Sequence, residues 1–399
     1  MYYIEKLKNL EAWQKNIIVL WMGIFISWSS YTMLMPFLPM YLLLELNVPQ
    51  HEVAKWAGLS FSATFFTGMI MAPYWGARAD RVGKKKIAVR AGFSVGILYT
   101  VYSIITTPEQ LVLMRALHGI VSGFVATCLS LAADSLPKEK VGWGLGILQA
   151  AGSSGSILGP LMGGTLGTLV GMRMSFVLGG VMFLAAAVCI LLFVTEEKTA
   201  SKAAQSSFKE SFNQAYSNKP LMHMLILVSV LQMAAMFLQP ILPMHIITLQ
   251  GDATQAVFIS GLLFSASGIS GMLAAPFWGN YGQKWGFTKT LALVLIAAGL
   301  AQSLQAFTNT VWLFGLVQLV LGVFLAGVMP SINANIVQFA GDDFRGRAFG
   351  LSTSFSQLGG MLGPIIGGWF VGLYSIQVLF VIVGVLLAAS GISVILMRK

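Results

Sequence analysis

Long apolar runs separated by short charged clusters dominate the chain. Most runs hold 18 residues or more, enough for a helix to cross the roughly 30 Å hydrocarbon core of a bilayer. They predict twelve spanning helices, at 16–44, 53–77, 87–106, 109–134, 142–170, 174–195, 220–247, 255–279, 288–307, 310–338, 346–372 and 376–397. The short alternating segments of a spanning β-barrel do not occur. The predicted class is an all-α membrane protein.

Composition agrees. The 399 residues are 56% hydrophobic and 10% charged, against about 25% charged in a soluble domain. A net charge of +10 raises the possibility of a nucleic-acid surface, but its distribution argues against one. Of 24 Lys and Arg, 21 lie at the termini or in and beside the loops that follow even-numbered spans. Lys55 and Arg173 lie elsewhere, and Arg115 lies inside a span. This positive-inside bias puts both termini in the cytoplasm. Cys128 and Cys189 sit in apolar spans and predict neither disulfide nor metal site. Residues 1–16 lack the short apolar core and cleavage site of a signal peptide. Tyr3, Leu7 and Leu10 share a helical face there, which predicts a short interfacial helix.

The chain reads as one plan used twice. Residues 57–76, AGLSFSATFFTGMIMAPYWG, align with 260–279, SGLLFSASGISGMLAAPFWG, at an offset of 203. MPFLPMY (35–41) aligns with QPILPMH (239–245), and GSILGPLMGG (155–164) with GGMLGPIIGG (359–368), both at 204. Such constancy across three spans indicates duplication, and repeated six-helix halves are a transporter architecture. The expected domains are an N-terminal bundle (1–195), a cytoplasmic linker (196–219) and a C-terminal bundle (220–399). Within the linker, Phe208, Phe212 and Tyr216 recur every four residues, which fits either a segment lying on the membrane surface or a plain linker. Pro36, Pro39, Pro240 and Pro243 interrupt the first and seventh spans at matching places and are expected bending points.

GARADRVGKKK (76–86) resembles the signature loop of the major facilitator superfamily at Gly76, Asp80, Arg81, Gly83, Lys84 and Lys85. The second-half equivalent, GNYGQKWGFTK (279–289), keeps Gly279, Lys284 and Gly286 but has Gln283 for the aspartate. LVLMRALHGIVSG (111–123) is similar to the family's fourth-span motif at Arg115, Gly119 and Gly123. Gly146, Gly155, Gly159, Pro160, Gly163 and Gly164 match the fifth-span motif of its drug:proton antiporters. The resemblance covers nearly the whole chain and implies the major facilitator fold of two pseudo-symmetric six-helix bundles in a bacterial cytoplasmic membrane.

It also implies roles for residues. Gly76, Asp80, Arg81, Gly83 and Asp134 would form a conformational latch, with Asp80 near the start of the eleventh span and Arg81 reaching Asp134. Lys84, Lys85 and Lys86 read mainly as topology signals. Arg115, which is costly at the bilayer centre, should face a protein interior or wet cavity and is tied to proton coupling, with His118 on the same face. Unlike many proton-coupled exporters, the first span has no acid before Glu45, at its outer end. The proton carrier is left open among Asp134, Asp80, Glu45 and His118. Spans one, four, seven and ten line the family's cavity, which nominates Trp28, Tyr31, Gln232, Met236, Gln239, Gln318 and Asn333, a surface of aromatic, methionine and amide groups suited to varied lipophilic ligands. The glycine ridge repeats as Gly350, Gly359, Gly363, Pro364, Gly367 and Gly368, and is expected to pack symmetry-related helices at the interface between halves.

The expected function is export of amphipathic compounds by alternating access in exchange for protons. A narrow exporter of one compound or lipid is the alternative, with an uptake symporter behind it. No Gly-x-x-x-x-Gly-Lys-Ser/Thr loop exists for an ATP-driven pump. The four histidines (51, 118, 223 and 245) are dispersed and no nucleophile has a recognisable partner, so no enzyme activity, metal or cofactor is expected. The expected partners are an amphipathic small molecule, protons and membrane lipids, with the chain acting as a monomer.

Overall fold

Glycine and proline set where the helices of this protein break. The computed structural model describes residues 11–196, 208–239, 241–251, 253–341, 344–371 and 373–397. The helices are α1 (Ala12–Leu34), α2 (Leu38–Leu44), α3 (Gln50–Val82), α4 (Lys84–Tyr102), α5 (Pro108–Val121), α6 (Phe124–Ser135), α7 (Val141–Leu169), α8 (Met172–Phe193) and α9 (Phe208–Ser217). They continue as α10 (Lys219–Leu238), α11 (Leu242–Gln250), α12 (Ala253–Trp285), α13 (Phe287–Leu304), α14 (Val311–Leu325), α15 (Val328–Ala340), α16 (Arg345–Val371) and α17 (Ile376–Leu396). No strand occurs among the described residues. The predicted interfacial helix at Tyr3, Leu7 and Leu10 lies outside them, as do Pro240 and the side chain of Phe208.

Helices occupy every predicted span, but some spans are interrupted. The first turns through a 3-10 segment, Met35–Phe37, where Pro36 removes a backbone donor. The fourth, expected to be continuous, breaks at Ser122–Gly123; Gly123 has φ 111°, a conformation that strongly favours glycine. Its counterpart breaks between α14 and α15 at Ala326–Gly327. Pro73, Pro160, Pro276 and Pro364 lie inside helices that run through them.

Eight helices or joined helices among the described residues are long and apolar enough to cross a membrane. At the other four predicted spans lie α3, α4, α7 and α16, whose apolar character is diluted by charged ends or by glycine and serine. Large apolar side chains such as Leu192, Leu273, Leu300 and Trp312 are exposed. Surfaces like these, on helices whose backbone groups are satisfied internally, belong in lipid.

The chain divides into two compact units, Met1–Phe37 with Thr67–Ala203, and Leu38–Phe66 with Ala204–Lys399. In the first, Gly155, Gly159 and Gly163 of α7 press against α1. A Cβ on Gly155 would lie 2.5 Å from the Phe25 carbonyl, and one on Gly159 would collide with Thr32 and with Ser29 O. In the second, Gly359, Gly363 and Gly367 of α16 meet the carbonyls of Ser229, Met233 and Phe237 of α10. The two sets correspond at an offset of 204. These glycines seat each helix on a neighbour in its own unit, whereas Pro364 and Gly368 of the same ridge meet Gly58 and Ala54 of the predicted second span. Residues four apart form one stripe, and without side chains the stripe admits a neighbouring backbone. A second stripe of α16 takes the outer part of α3: Pro364 O lies under Gly58, Gly368 meets Ala54, and Ser62 Oγ donates to Met361 O at 2.6 Å.

Side-chain bonds repeat as well. Thr67 Oγ1 donates to Ala116 O at 2.8 Å and Ser270 Oγ to Leu319 O at 2.9 Å. Trp75 Nε1 donates to Ile120 O at 2.6 Å and Trp278 Nε1 to Val323 O at 2.7 Å. Donor and acceptor shift together by 203, so the duplication extends to individual hydrogen bonds.

Candidate functional site

Four groups of predicted residues can be placed. The first surrounds the loop between α3 and α4. Gly83 turns it with φ 107°, and α4 begins at Lys84. The free N–H groups of that first turn attract an anion: Lys84 N and Lys85 N donate to the Glu196 carboxylate at 2.5 and 3.2 Å. The Lys84 ammonium turns to Asp134, at 2.5 Å from Oδ2. Asn16 of α1 completes the cluster, donating to Ser135 Oγ and Thr195 O and accepting from Thr195 N. The expected Arg81–Asp134 pairing is therefore corrected: Lys84 holds the carboxylate, while Asp80 and Arg81 are exposed near the end of α3. The reason is helical geometry, since α3 continues through Arg81 and only after Gly83 does the chain turn. Gly76 has open space around it. Sequence reasoning missed Glu196, Asn16 and the role of Lys84. The usable signal was an acid ending the sixth span beside a basic loop.

The second group is buried within the first unit. Arg115 is 0% exposed, although it is among the largest polar side chains. Tyr31 of α1 and Tyr102 of α4 lie within hydrogen-bonding reach of its guanidinium, and the Tyr99 ring packs against that of Tyr102 with centroids 5.6 Å apart. The His118 ring lies 5.4 Å from that of Tyr99 and 6.4 Å from that of Tyr31. Arg115 and His118 thus share one cage, as their three-residue spacing predicts. Asp134 belongs to the Lys84 cluster, and Glu45 follows α2 in the second unit.

The third group flanks the break in the fourth span. Breaking a helix frees carbonyls, which are costly in a membrane. Trp75 takes that of Ile120, and Arg90 Nη1 donates to Val121 O at 2.8 Å. The Arg90 guanidinium also stacks 3.4 Å from the centre of the Trp75 ring. Sequence reasoning treated Arg90 as a loop-edge charge.

The fourth group lies inside the second unit. Gln232, Met236, Gln239 and Gln318 line a cavity of about 390 Å³, joined by Gln302 and Gln305. Asn333 does not line it, and Trp28 and Tyr31 belong to the first unit, where Trp28 packs over Gly152. The glutamines are linked: Gln302 Nε2 donates to Gln305 Oε1 at 2.6 Å, and Gln305 Nε2 donates to Gln318 Oε1. Among the described residues, no charged one lines the cavity. Of the antiporter-type glycines, Gly146 is exposed with open space around it, whereas Gly155, Gly159, Pro160, Gly163 and Gly164 are buried along α7.

The chain is similar to known proteins in sequence and in fold. The profile of the Major Facilitator Superfamily matches residues 20–271 and 224–399. Multidrug resistance protein MdtG of Escherichia fergusonii is 31% identical over 372 residues, covering 93% of this chain and 91% of that protein. In fold, the chain is similar to the nucleoside transporter NupG, with a TM-score of 0.80 at 16% identity over 98% of this chain and 100% of NupG. It is equally similar to a bacterial homologue of the human lysosomal transporter Spinster in an inward-facing, occupied conformation, with a TM-score of 0.80 at 13% identity over 97% of each chain. With its profile matched across both halves, its helices suited to lipid and a relative matched over nearly its full length, this chain belongs to the Major Facilitator Superfamily: it is a multi-pass membrane transporter of small molecules and not an enzyme.

Proposed function

We propose that this transporter exports amphipathic compounds of varied structure from the cytoplasm or inner leaflet, by alternating access and in exchange for protons. The observation that carries the reading is the cavity of about 390 Å³ in the second unit, lined by leucine, methionine and phenylalanine with a few amides and no charge. Flexible methionines and rotatable amides adapt to unlike ligands, whereas a fixed charge selects one class. The similarity to a multidrug resistance protein of Escherichia fergusonii supports this reading.

Proton coupling is assigned to the cage of Arg115, Tyr31, Tyr99, Tyr102 and His118. A fully buried cation among phenol and imidazole rings makes protonation of any nearby group strongly felt. Asp134 and Glu45 remain carboxylate candidates for the proton. The latch reading for Gly76, Asp80, Arg81 and Gly83 rests on the family motif, with Asp134 and Glu196 as anchors for the start of α4. The glycine-lined face of α7 is proposed to permit rocking between states. The charge distribution supports cytoplasmic termini in a bacterial cytoplasmic membrane, and the repeat supports functional halves at 1–195 and 220–399 joined by 196–219. The chain is proposed to work as a monomer.

The test is efflux of fluorescent dyes from proteoliposomes with and without an imposed pH gradient. Export that follows the gradient and is inhibited by chemically unlike compounds supports the proposal. Transport indifferent to the gradient refutes antiport, and inhibition by one chemical class only replaces the multidrug reading with a narrow exporter.

A further inference from the structure

The offset of 203 that pairs Trp75 with Trp278 also pairs Tyr99 with Gln302, Tyr102 with Gln305 and Arg115 with Gln318. Gly83 with Gly286, Thr107 with Thr310 and Gly119 with Gly322 hold the same register on either side. Thr107 and Thr310 each cap the following helix through the side chain. The buried tyrosine and arginine cage of the first unit and the glutamine ladder of the second are two copies of one site. The first copy carries a charge and is filled by aromatic rings. In the second, Tyr99, Tyr102 and Arg115 have become amides, His118 corresponds to Leu321 and Tyr31 to Ala235, and the site borders a cavity.

We infer that this cavity binds a neutral part of the transported molecule that both donates and accepts a hydrogen bond, as a carboxamide or lactam does. The ladder is polarised. Each glutamine spends its amide N–H on the next carbonyl, so the last, Gln318, ends the chain with its own NH₂ group and borders the cavity. Gln239 borders the same cavity, and its buried Oε1 finds no hydrogen-bond partner among the described residues. A buried acceptor left without a donor is costly, and a ligand N–H relieves it. The cavity's size suits part of a drug-sized molecule. Met236, Met329 and Phe264 supply apolar walls. A permanent cation would be desolvated there with no counter-charge. The ligand class rests on the export reading only for identifying this ligand with the exported molecule.

The test is equilibrium fluorescence binding, without any gradient, to the full-length protein in lipid nanodiscs. The probes are an acetamido-coumarin, its N-methylated analogue without the N–H, and a trimethylammonio-coumarin. The expected result is binding of the acetamide about tenfold tighter than of the other two, one hydrogen bond's worth of discrimination. Gln239→Leu removes an acceptor with no partner, so it leaves folding intact and abolishes preference for the N–H. Gln318→Leu weakens acetamide binding in the same assay. Equal or tighter binding of the cation, no binding of any probe, or an unchanged preference in Gln239→Leu overturns the inference. Retained preference in a protein that shows no gradient-driven export refutes antiport and leaves the binding site standing.

Discussion

Lys84 lies 2.5 Å from Asp134, joining the first residue of α4 to the last turn of α6. The lysine side chain is 10% exposed and the carboxylate 35% exposed, so removing the acid strands a mostly buried cation. Asp134→Asn is expected to destabilise the protein by about 1 kcal/mol, since half of the pair is solvated. Arg81→Ala, at an exposed position, should shift stability by less than about 0.5 kcal/mol. Thermal unfolding of the purified variants separates the two, and equal losses would refute the pairing.

Asp80 has a role in transport that stability does not report. Asp80→Asn is expected to abolish export while membrane insertion and unfolding temperature stay unchanged, because the side chain is exposed near the end of α3. Wild-type rates in that variant would end the latch reading.

The glycines of α7 divide into two kinds. Gly159→Ala drives a methyl group into Thr32 and the Ser29 carbonyl, and overpacking costs about 1–3 kcal/mol. Gly146→Ala meets open space and gains roughly 1 kcal/mol of helix propensity. The second-half counterpart of Gly155, Gly359→Ala, should behave like Gly159→Ala. Unfolding temperatures in opposite directions are the expected result.

Trp75→Phe leaves the Ile120 carbonyl without its indole donor and replaces the indole beneath Arg90 with a smaller phenyl, a weaker cation–π partner. Trp278→Phe removes only the corresponding bond to Val323 among these. Losing a buried partner costs about 1–3 kcal/mol, so both variants are expected to be destabilised, Trp75→Phe more. A reversed order in chemical unfolding would argue against Arg90 as a support of the helix break.

Arg115→Gln installs in the first unit the residue that the second unit carries at the same register. Export is expected to lose its response to an imposed pH gradient while downhill movement of substrate persists. Arg115→Lys should not restore coupling, because a compact ammonium cannot span Tyr31 and Tyr102 as a planar guanidinium does. Gradient-driven export by either variant at the wild-type rate would remove Arg115 from the coupling machinery.

Much of the fold was legible because its signals are local or periodic. Apolar length located the helices, and the constant offset revealed duplication before any contact was known. The same offset predicts that Trp75 and Trp278 do the same work. The break at Gly123 was missed because apolar periodicity continues across it; the interruption is stabilised by Arg90 and Trp75, which lie far away in sequence. Arg115 was legible as a functional candidate because an arginine in an apolar span is anomalous by itself. Gln302 and Gln305 were not, since a glutamine near a helix end looks ordinary until its partners are known.

The sequence by itself determined the membrane setting, the helix positions, the duplicated plan and the family, because these follow from hydrophobicity, spacing and motif order along the chain. Tertiary structure alone decided that Lys84 rather than Arg81 holds Asp134, that Glu196 caps α4, that the glycine ridges face α1 and α10, and that three glutamines form one polarised ladder beside a cavity. Those outcomes depend on which side chains converge after residues 112 apart, as Lys84 and Glu196 are, come together. Convergence is set by packing of whole helices, which no single stretch of sequence encodes.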